Sequence, residues 1–310
     1  MARQRKRKIN KRGRRIAILC LLALVAALAL LAGVAALNAN TLHVMRAEVC
    51  VENLPPSFEG VTLLYLSDVD LCGINTAKKS AAAIHRLQSL RPDMLVLGGD
   101  YASAHLFELL NRADAGQAGQ AQAQAASDFF HYISDFDAPL GRYAVMTSED
   151  ASLEGLSQTI VESGFTLLND GCAPVIRGSE NILLMNGLAP NPLRDGGRIV
   201  REDCVISVVN SPESFPMLMT AEADGGGHVV DLALAGHTHG GQIRLFGRNV
   251  LALTAREQQY LHGWSRETGV PMLTTSGLGC EGANLRVGSQ AEAWLITLIS
   301  PLPESSEQNP

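Results

Sequence analysis

Cysteine is sparse and unpatterned in this chain of 310 residues: there are six, and no two form a CxxC pair. Cys20 falls inside an apolar run, and Cys50, Cys72, Cys172, Cys204 and Cys280 are scattered. The spacing excludes a zinc ribbon and gives no disulfide framework, so these residues read as small buried side chains. A phosphate-cradling loop is missing too, because the Gly225–Gly227 run precedes neither a helix nor a Lys and reads as a linker. Ser148 has no His beside it for a nucleophile role. No internal repeat is present.

Acid is absent from the first 37 residues, where the first fifteen carry nine Lys or Arg. All 31 Asp and Glu lie beyond, against 16 remaining Lys and Arg, leaving the rest of the chain near −15. That balance argues against a nucleic-acid groove. Residues 1–15 read as a basic cytoplasmic segment and the uncharged residues 16–37 as one transmembrane helix. The basic flank predicts a cytoplasmic N-terminus and a translocated C-terminal domain, with the lipid bilayer as a partner. Small residues such as Ala35, Ala36 and Ala39 would suit signal cleavage. The apolar run exceeds the roughly 7–15 residues of a signal peptide, which favours an uncleaved anchor.

From about residue 46, strand and helix patterns alternate. Gly60–Ser67 reads as a buried strand, Thr76–Leu90 as an amphipathic helix and Met94–Gly98 as a second strand parallel to the first. The run 113–126, mostly Ala, Gln and Gly, reads as a surface insertion or extended helix, followed by a helix over Ser127–Asp135. Further strands are expected over 139–145, 165–168, 182–187, 204–209, 231–235, 272–276 and 291–299, with a helix over 152–163. Residues 46–302 form the expected soluble domain and 303–310 a disordered tail.

Chemistry gathers where these strands end. In parallel sheets, sites form outside the carboxyl ends of strands, and Asp68, Asp100 and the pair His237 and His239 stand there. Two imidazoles at i and i+2 among glycines suit metal ligation. His85, His105, His228 and His262 read as surface or loop residues, and Arg286 as one half of a structural ion pair.

The ordered series Leu66-Ser-Asp-Val-Asp70, Gly98-Gly-Asp100, Thr147-Ser-Glu-Asp150, Asn210-Ser-Pro212 and Gly236-His-Thr-His-Gly-Gly-Gln242 resembles the five motifs of the calcineurin-like metallophosphoesterases. It is most similar to their membrane-anchored bacterial branch. The resemblance spans roughly residues 58–300 and implies a four-layer α/β/β/α sandwich of two mixed sheets after one N-terminal transmembrane helix. It also implies two divalent cations that clamp a phosphate ester and activate water. Asp68 and His239 match first-metal ligands, Asp100 the bridging carboxylate and His237 a second-metal ligand. Four positions depart from the motifs. Asp70 stands for His, Ser148 for Asn, Glu149 for the His that contacts phosphate, and Asn210 for His.

Asp68, Asp70, Asp100 and His239 form an oxygen-rich set that favours Mn²⁺, Mg²⁺ or Ca²⁺ over Zn²⁺. The second metal would keep Asp100, His237 and the carbonyl of Asn210. Added carboxylates at Asp70 and Glu149 oppose an anionic substrate, and Glu149 is the one candidate left for acid catalysis. Two readings stay open. One is a membrane-anchored, metal-dependent phosphoesterase of weak or altered activity on a phosphate ester or phospholipid outside the cytoplasm. The other is a non-catalytic cleft that binds a metal, a ligand or an envelope partner.

Overall fold

The computed structural model describes residues 11–73, 75–103, 115–168, 171–187, 199–223, 226–246, 248–249, 253–267 and 269–301. The expected tail 303–310, His105, Gly225 and most of the basic segment lie outside the described residues.

Apolar runs ending in Gly or Asp build the central strands. The first sheet takes the order β1 (Leu42–Cys50), β14 (Ala291–Ile299), β2 (Thr62–Leu66), β3 (Met94–Leu97), β4 (Arg142–Ala144), β5 (Thr166–Leu167). The second runs β12 (Gly263–Glu267), β13 (Val270–Thr274), β9 (Leu232–Ala235), β8 (Val205–Val209), β7 (Glu180–Asn186), β6 (Cys172–Arg177). Both are mixed: β14 is antiparallel to β2 in the first, and β12 and β6 are antiparallel to their neighbours in the second. A short hairpin, β10 (Arg244–Leu245) and β11 (Arg248–Asn249), stands apart.

Alternation along each strand sorts the layers. Leu63 and Tyr65 of β2 face Leu184, Ile206 and Leu234 between the sheets. Leu64 and Leu66 face outward, against helix α2 (Ala77–Leu87) and helix α3 (Ala115–Tyr132). On the far side, Phe215, Leu218 and Tyr260 cover the second sheet from two short helices. The result is the four-layer sandwich, α/β/β/α. Each buried Leu or Phe contributes about 1.5–3 kcal/mol relative to exposure.

The Ala/Gln-rich run is the extended helix that the sequence allowed: from Ala115 it continues into the following helix as one α3, because Ala and Gln favour helix. Other elements differ from the sequence pattern. The helix expected from Ser152 starts only at Leu156, since Gly155 takes a left-handed φ of 76°. Strand β1 and the hairpin β10–β11 were not expected, and neither were strands β6 and β12. Both are sheet edges, and β6 carries Pro174, which an edge tolerates.

Helix α1 (Lys11–Asn40) is long and apolar enough to cross a membrane by length and composition. Its last turns dock on the domain: Ala35 and Ala39 are buried, and Arg286 N donates to Ala35 O at 2.9 Å. Asn284 Nδ2 also donates to Asn40 Oδ1 at 3.1 Å. Because β1 runs parallel to β14 and β14 antiparallel to β2, Leu42 starts at the edge where β2 and β3 end. The apolar helix therefore meets the domain on the edge that carries Asp68 and Asp100.

Candidate metal centre

Four strand ends converge. Asp68 N donates to Gly99 O and Asp70 N to Asp100 O, each at 3.0 Å, tying the loops after β2 and β3. Gly236 N donates to Asn210 O at 3.0 Å and joins the loops after β8 and β9. Asp68, Asp70, Asp100, His237 and His239 all take left-handed φ, at 52°, 47°, 55°, 71° and 50°. Such a backbone costs about 1–3 kcal/mol per non-Gly residue and persists only where the surroundings impose it. Its concentration on five candidate ligands is itself a mark of a functional site.

The side chains make pairwise contacts. Asp68 Oδ1 accepts from His237 N at 2.8 Å, and Asn210 Nδ2 donates to Asp100 Oδ2 at 2.8 Å. His237 Nδ1 lies 3.7 Å from Asp100 Oδ2, and His239 Nδ1 lies 3.7 Å from Asp70 Oδ2. Among the described residues, no three His, Cys, Asp or Glu side chains close to metal-ligand spacing. Three buried atoms nonetheless have no hydrogen-bond partner: Asp68 Oδ2, Asp70 Oδ2 and His239 Nδ1. Unsatisfied buried carboxylate oxygens are costly, and two carboxylates with one imidazole are a donor set that a hard divalent cation satisfies. The residues fit the group that the motifs imply. Glu149 is not brought into this set. It is exposed and accepts from Ser148 Oγ at 2.9 Å.

Charge follows burial. Burial, then the charge of Asp100, pushes Asp68 well above the usual carboxylate range. Burial, then Asp68 and Asp100, does the same to Asp70. Burial would also raise Asp100, but the His237 imidazole and Asn210 amide outweigh it and hold Asp100 below its ordinary value. Reciprocally, contact with Asp100 lifts His237 to about 9, so it is charged at neutral pH. His239 is held down at about 3 by burial, then by Arg286, and stays a neutral ligand type.

Three supporting residues have roles that the sequence reading did not give them. Asp150, buried, accepts from Asp100 N (2.9 Å), Tyr101 N (2.9 Å) and Thr147 N (3.0 Å), and so fixes the loop bearing Asp100. Glu257, buried, faces His237 Nε2 at 3.1 Å, the outer partner that orients an imidazole. Each is the third helical residue of a Thr-x-x-acid capping box, with Thr147 and Thr254 as caps, a pattern readable in the sequence. Arg286 forms no ion pair among the described residues, unlike the structural pair expected. Fully buried, its guanidinium donates to the carbonyls of His239, Ser276, Gly277, Gly279 and Gln290 and to Ser289 Oγ.

Two glycines permit the close approach of these loops. A Cβ on Gly277 would lie 2.6 Å from Asp68 Cβ, and one on Gly279 would collide with Val69 O. On the neighbouring side, His262 Nε2 pairs with Glu292 at 3.0 Å, and Glu292 also accepts from Ser276 N at 2.8 Å.

No family model matches the sequence. It is similar to a transmembrane protein with metallophosphoesterase domain from Danio rerio, 26% identical over 271 residues, covering 82% of this chain and 57% of that protein. This chain thus spans little more than half of the zebrafish protein. An uncharacterized metallophosphoesterase of Bacillus subtilis, YkuE, is 24% identical, with 80% of this chain and 82% of that protein covered. Among solved structures, the calcineurin-like phosphoesterase YfkN of Bacillus subtilis superposes with a TM-score of 0.35 at 11% identity, covering 76% of this chain and 90% of that one.

Proposed function

We propose, since this chain belongs to the calcineurin-like metallophosphoesterase family, that it is a membrane-anchored hydrolase of phosphate esters with weakened or altered activity. The observation that carries the reading is the buried, unpartnered trio of Asp68 Oδ2, Asp70 Oδ2 and His239 Nδ1. Asp68, Asp70, Asp100 and His239 would hold a first cation, Mn²⁺, Mg²⁺ or Ca²⁺ in preference to Zn²⁺. Asp100, His237 and Asn210 would hold a second. Bound cations in such a site neutralise phosphate charge and lower the pKa of water.

The chain's own residues prepare that site. Asp150 sets the Asp100 backbone, and Glu257 sets the His237 ring. Arg286 draws the 239 and 276–279 loops together and excludes water from His239. Without the second cation, His237 carries its charge between two carboxylates, Nδ1 facing Asp100 Oδ2 at 3.7 Å and Nε2 facing Glu257 Oε1 at 3.1 Å. Helix α1 spans the bilayer with its basic end in the cytoplasm and the domain outside.

The non-catalytic reading is favoured by one feature: the Asn210 amide donates to Asp100, a carboxylate that a second cation would need. In that case the cleft holds one cation and binds an anionic ligand or envelope partner without turnover.

Metal analysis and a phosphodiester assay on the full chain in detergent separate the two. The comparison variant combines Asp70→His, Ser148→Asn, Glu149→His and Asn210→His. Hydrolysis is expected to be metal-dependent, slow in the wild type and raised about 100-fold or more in the variant. Equal rates would remove the case for an altered site. Absence of metal binding in both would remove the metal reading.

A further inference from the structure

The hairpin β10–β11 follows directly after Gln242, and its tip is apolar and uncovered: Phe246 is fully exposed and Leu245 is 44% exposed. Arg244 and Arg248 flank the tip on the paired strands. A bare Phe beside a Leu, bracketed by two arginines, has the composition of a segment that enters a lipid interface. The rings sit at the acyl boundary and the guanidinium groups at the phosphates.

Its location supports that occupant. Arg244 N donates to Val287 O at 2.8 Å, and the neighbouring Arg286 N donates to Ala35 O of α1 at 2.9 Å. Two hydrogen bonds therefore join the hairpin to the last turns of the apolar helix. Asn38 of α1 and Arg244 also line one cavity of about 380 Å³, together with His262, Ser276 and Gln290. The apolar run of α1 ends at Leu37, so Arg244 lies at the level where that helix leaves hydrocarbon for headgroups.

We infer that this hairpin is a second membrane contact, in which Leu245 and Phe246 insert into the bilayer surface beside α1 while Arg244 and Arg248 bind lipid phosphates. The inference rests on the reading of α1 as a membrane span. It deepens the functional proposal by naming the substrate class. With α1 and the hairpin both on the edge that bears Asp68 and Asp100, the cleft is held at headgroup height, and the phosphate esters within reach are those of membrane lipids.

The test places the full-chain F246W variant in nanodiscs of phosphatidylcholine and phosphatidylglycerol, with or without brominated acyl chains. Emission is read as the difference from wild type, whose Trp264 and Trp294 are native. The added emission is expected to be blue-shifted and quenched by at least about half in brominated discs. I176W, exposed on β6 at the far edge of the second sheet, is expected to stay unquenched. Replacing both arginines (R244Q with R248Q) in the F246W background should reduce quenching.

Retention in the disc with water-like, unquenched F246W emission overturns the inference alone, as does equal quenching of I176W. A chain not retained in the disc overturns the reading of α1 and the inference with it. Hydrolysis is not read in this experiment, so a non-catalytic protein leaves the membrane contact intact.

Discussion

The side-chain amide of Asn210 donates to Asp100 Oδ2 at 2.8 Å, across the junction of the two sheets. A donor is therefore already engaged with a carboxylate that a second cation would need. Replacing Asn210 by His exchanges an amide for an imidazole with a free ring nitrogen. The N210H variant is expected to take up a second Mn²⁺ with about tenfold or greater gain in affinity, read by titration calorimetry. A one-site isotherm identical to wild type would count against this role.

Asp150 satisfies three backbone donors while itself buried, and burial lifts its carboxyl to about 6 despite them. Asp150→Ala leaves those N–H groups unpaired and removes the Asp150 half of the capping box of Ser148–Ala151. A loss of about 3 kcal/mol or more is expected in denaturant titration, with weakened metal binding because Asp100 loses its support. Asp150→Asn, which retains one acceptor oxygen, should fall between.

His237 gives a pH dependence of defined sign. Its folded pKa of about 9 exceeds the ordinary imidazole value of about 6.5, so the folded state keeps a proton that the unfolded chain releases. That stabilisation is complete below about pH 6.5 and is lost as pH rises through about 9. Melting temperatures of wild type should therefore decline over this interval more than those of H237Q. Since a cation must displace the same proton, the rise in melting temperature on adding Mn²⁺ should grow with pH over the same range. A pH-independent metal shift would place His237 outside the ligand set.

What could be read from the chain was what burial writes into it. β2, β3, β8 and β9 are apolar runs ending in Gly, Asp or Asn, so the strands and the residues at their ends were legible together. The edge strands β6 and β12 bury one face at most and carry Pro174, Arg266 and Glu267, so no apolar run marks them. Asp150 and Glu257 left a local trace, Thr-x-x-acid, but a capping box says nothing of what else its carboxylate touches. Arg286 left none: its acceptors are mostly backbone carbonyls, which any sequence supplies, brought together from positions 4 to 47 residues away.

That clamp gives the remaining prediction. Arg286→Met has similar length but removes a donor from five carbonyls. His239 O keeps Ser289 Oγ (2.7 Å) and Gly277 O keeps Glu292 N (3.0 Å), while those of Ser276, Gly279 and Gln290 are left bare, at about 1–3 kcal/mol for each that stays dry. The variant is expected to lose at least about 3 kcal/mol of stability and to bind metal poorly, because the loops carrying His239 and abutting Asp68 separate. Arg286→Lys, with three donors in place of five, should recover part of both. Stability and metal affinity that stay at wild-type levels in Arg286→Met would show that the loops hold without it.

β1 follows α1 immediately, yet it pairs along its whole length, Leu42 to Cys50, with β14, which arrives at the other end of the described chain. Synthesis therefore delivers a strand next to the apolar helix long before its neighbour exists. β2 to β5 can assemble in order as they emerge, but β14 must then slot between β1 and β2 to close the sheet. The same strand brings Glu292, which fixes Ser276 beside the cleft. A chain cut short before Ala291 would leave two open strand edges and an unfinished cleft next to the helix, a clear target for proteases. The apolar helix is made before the domain, and the last described strand completes the cleft.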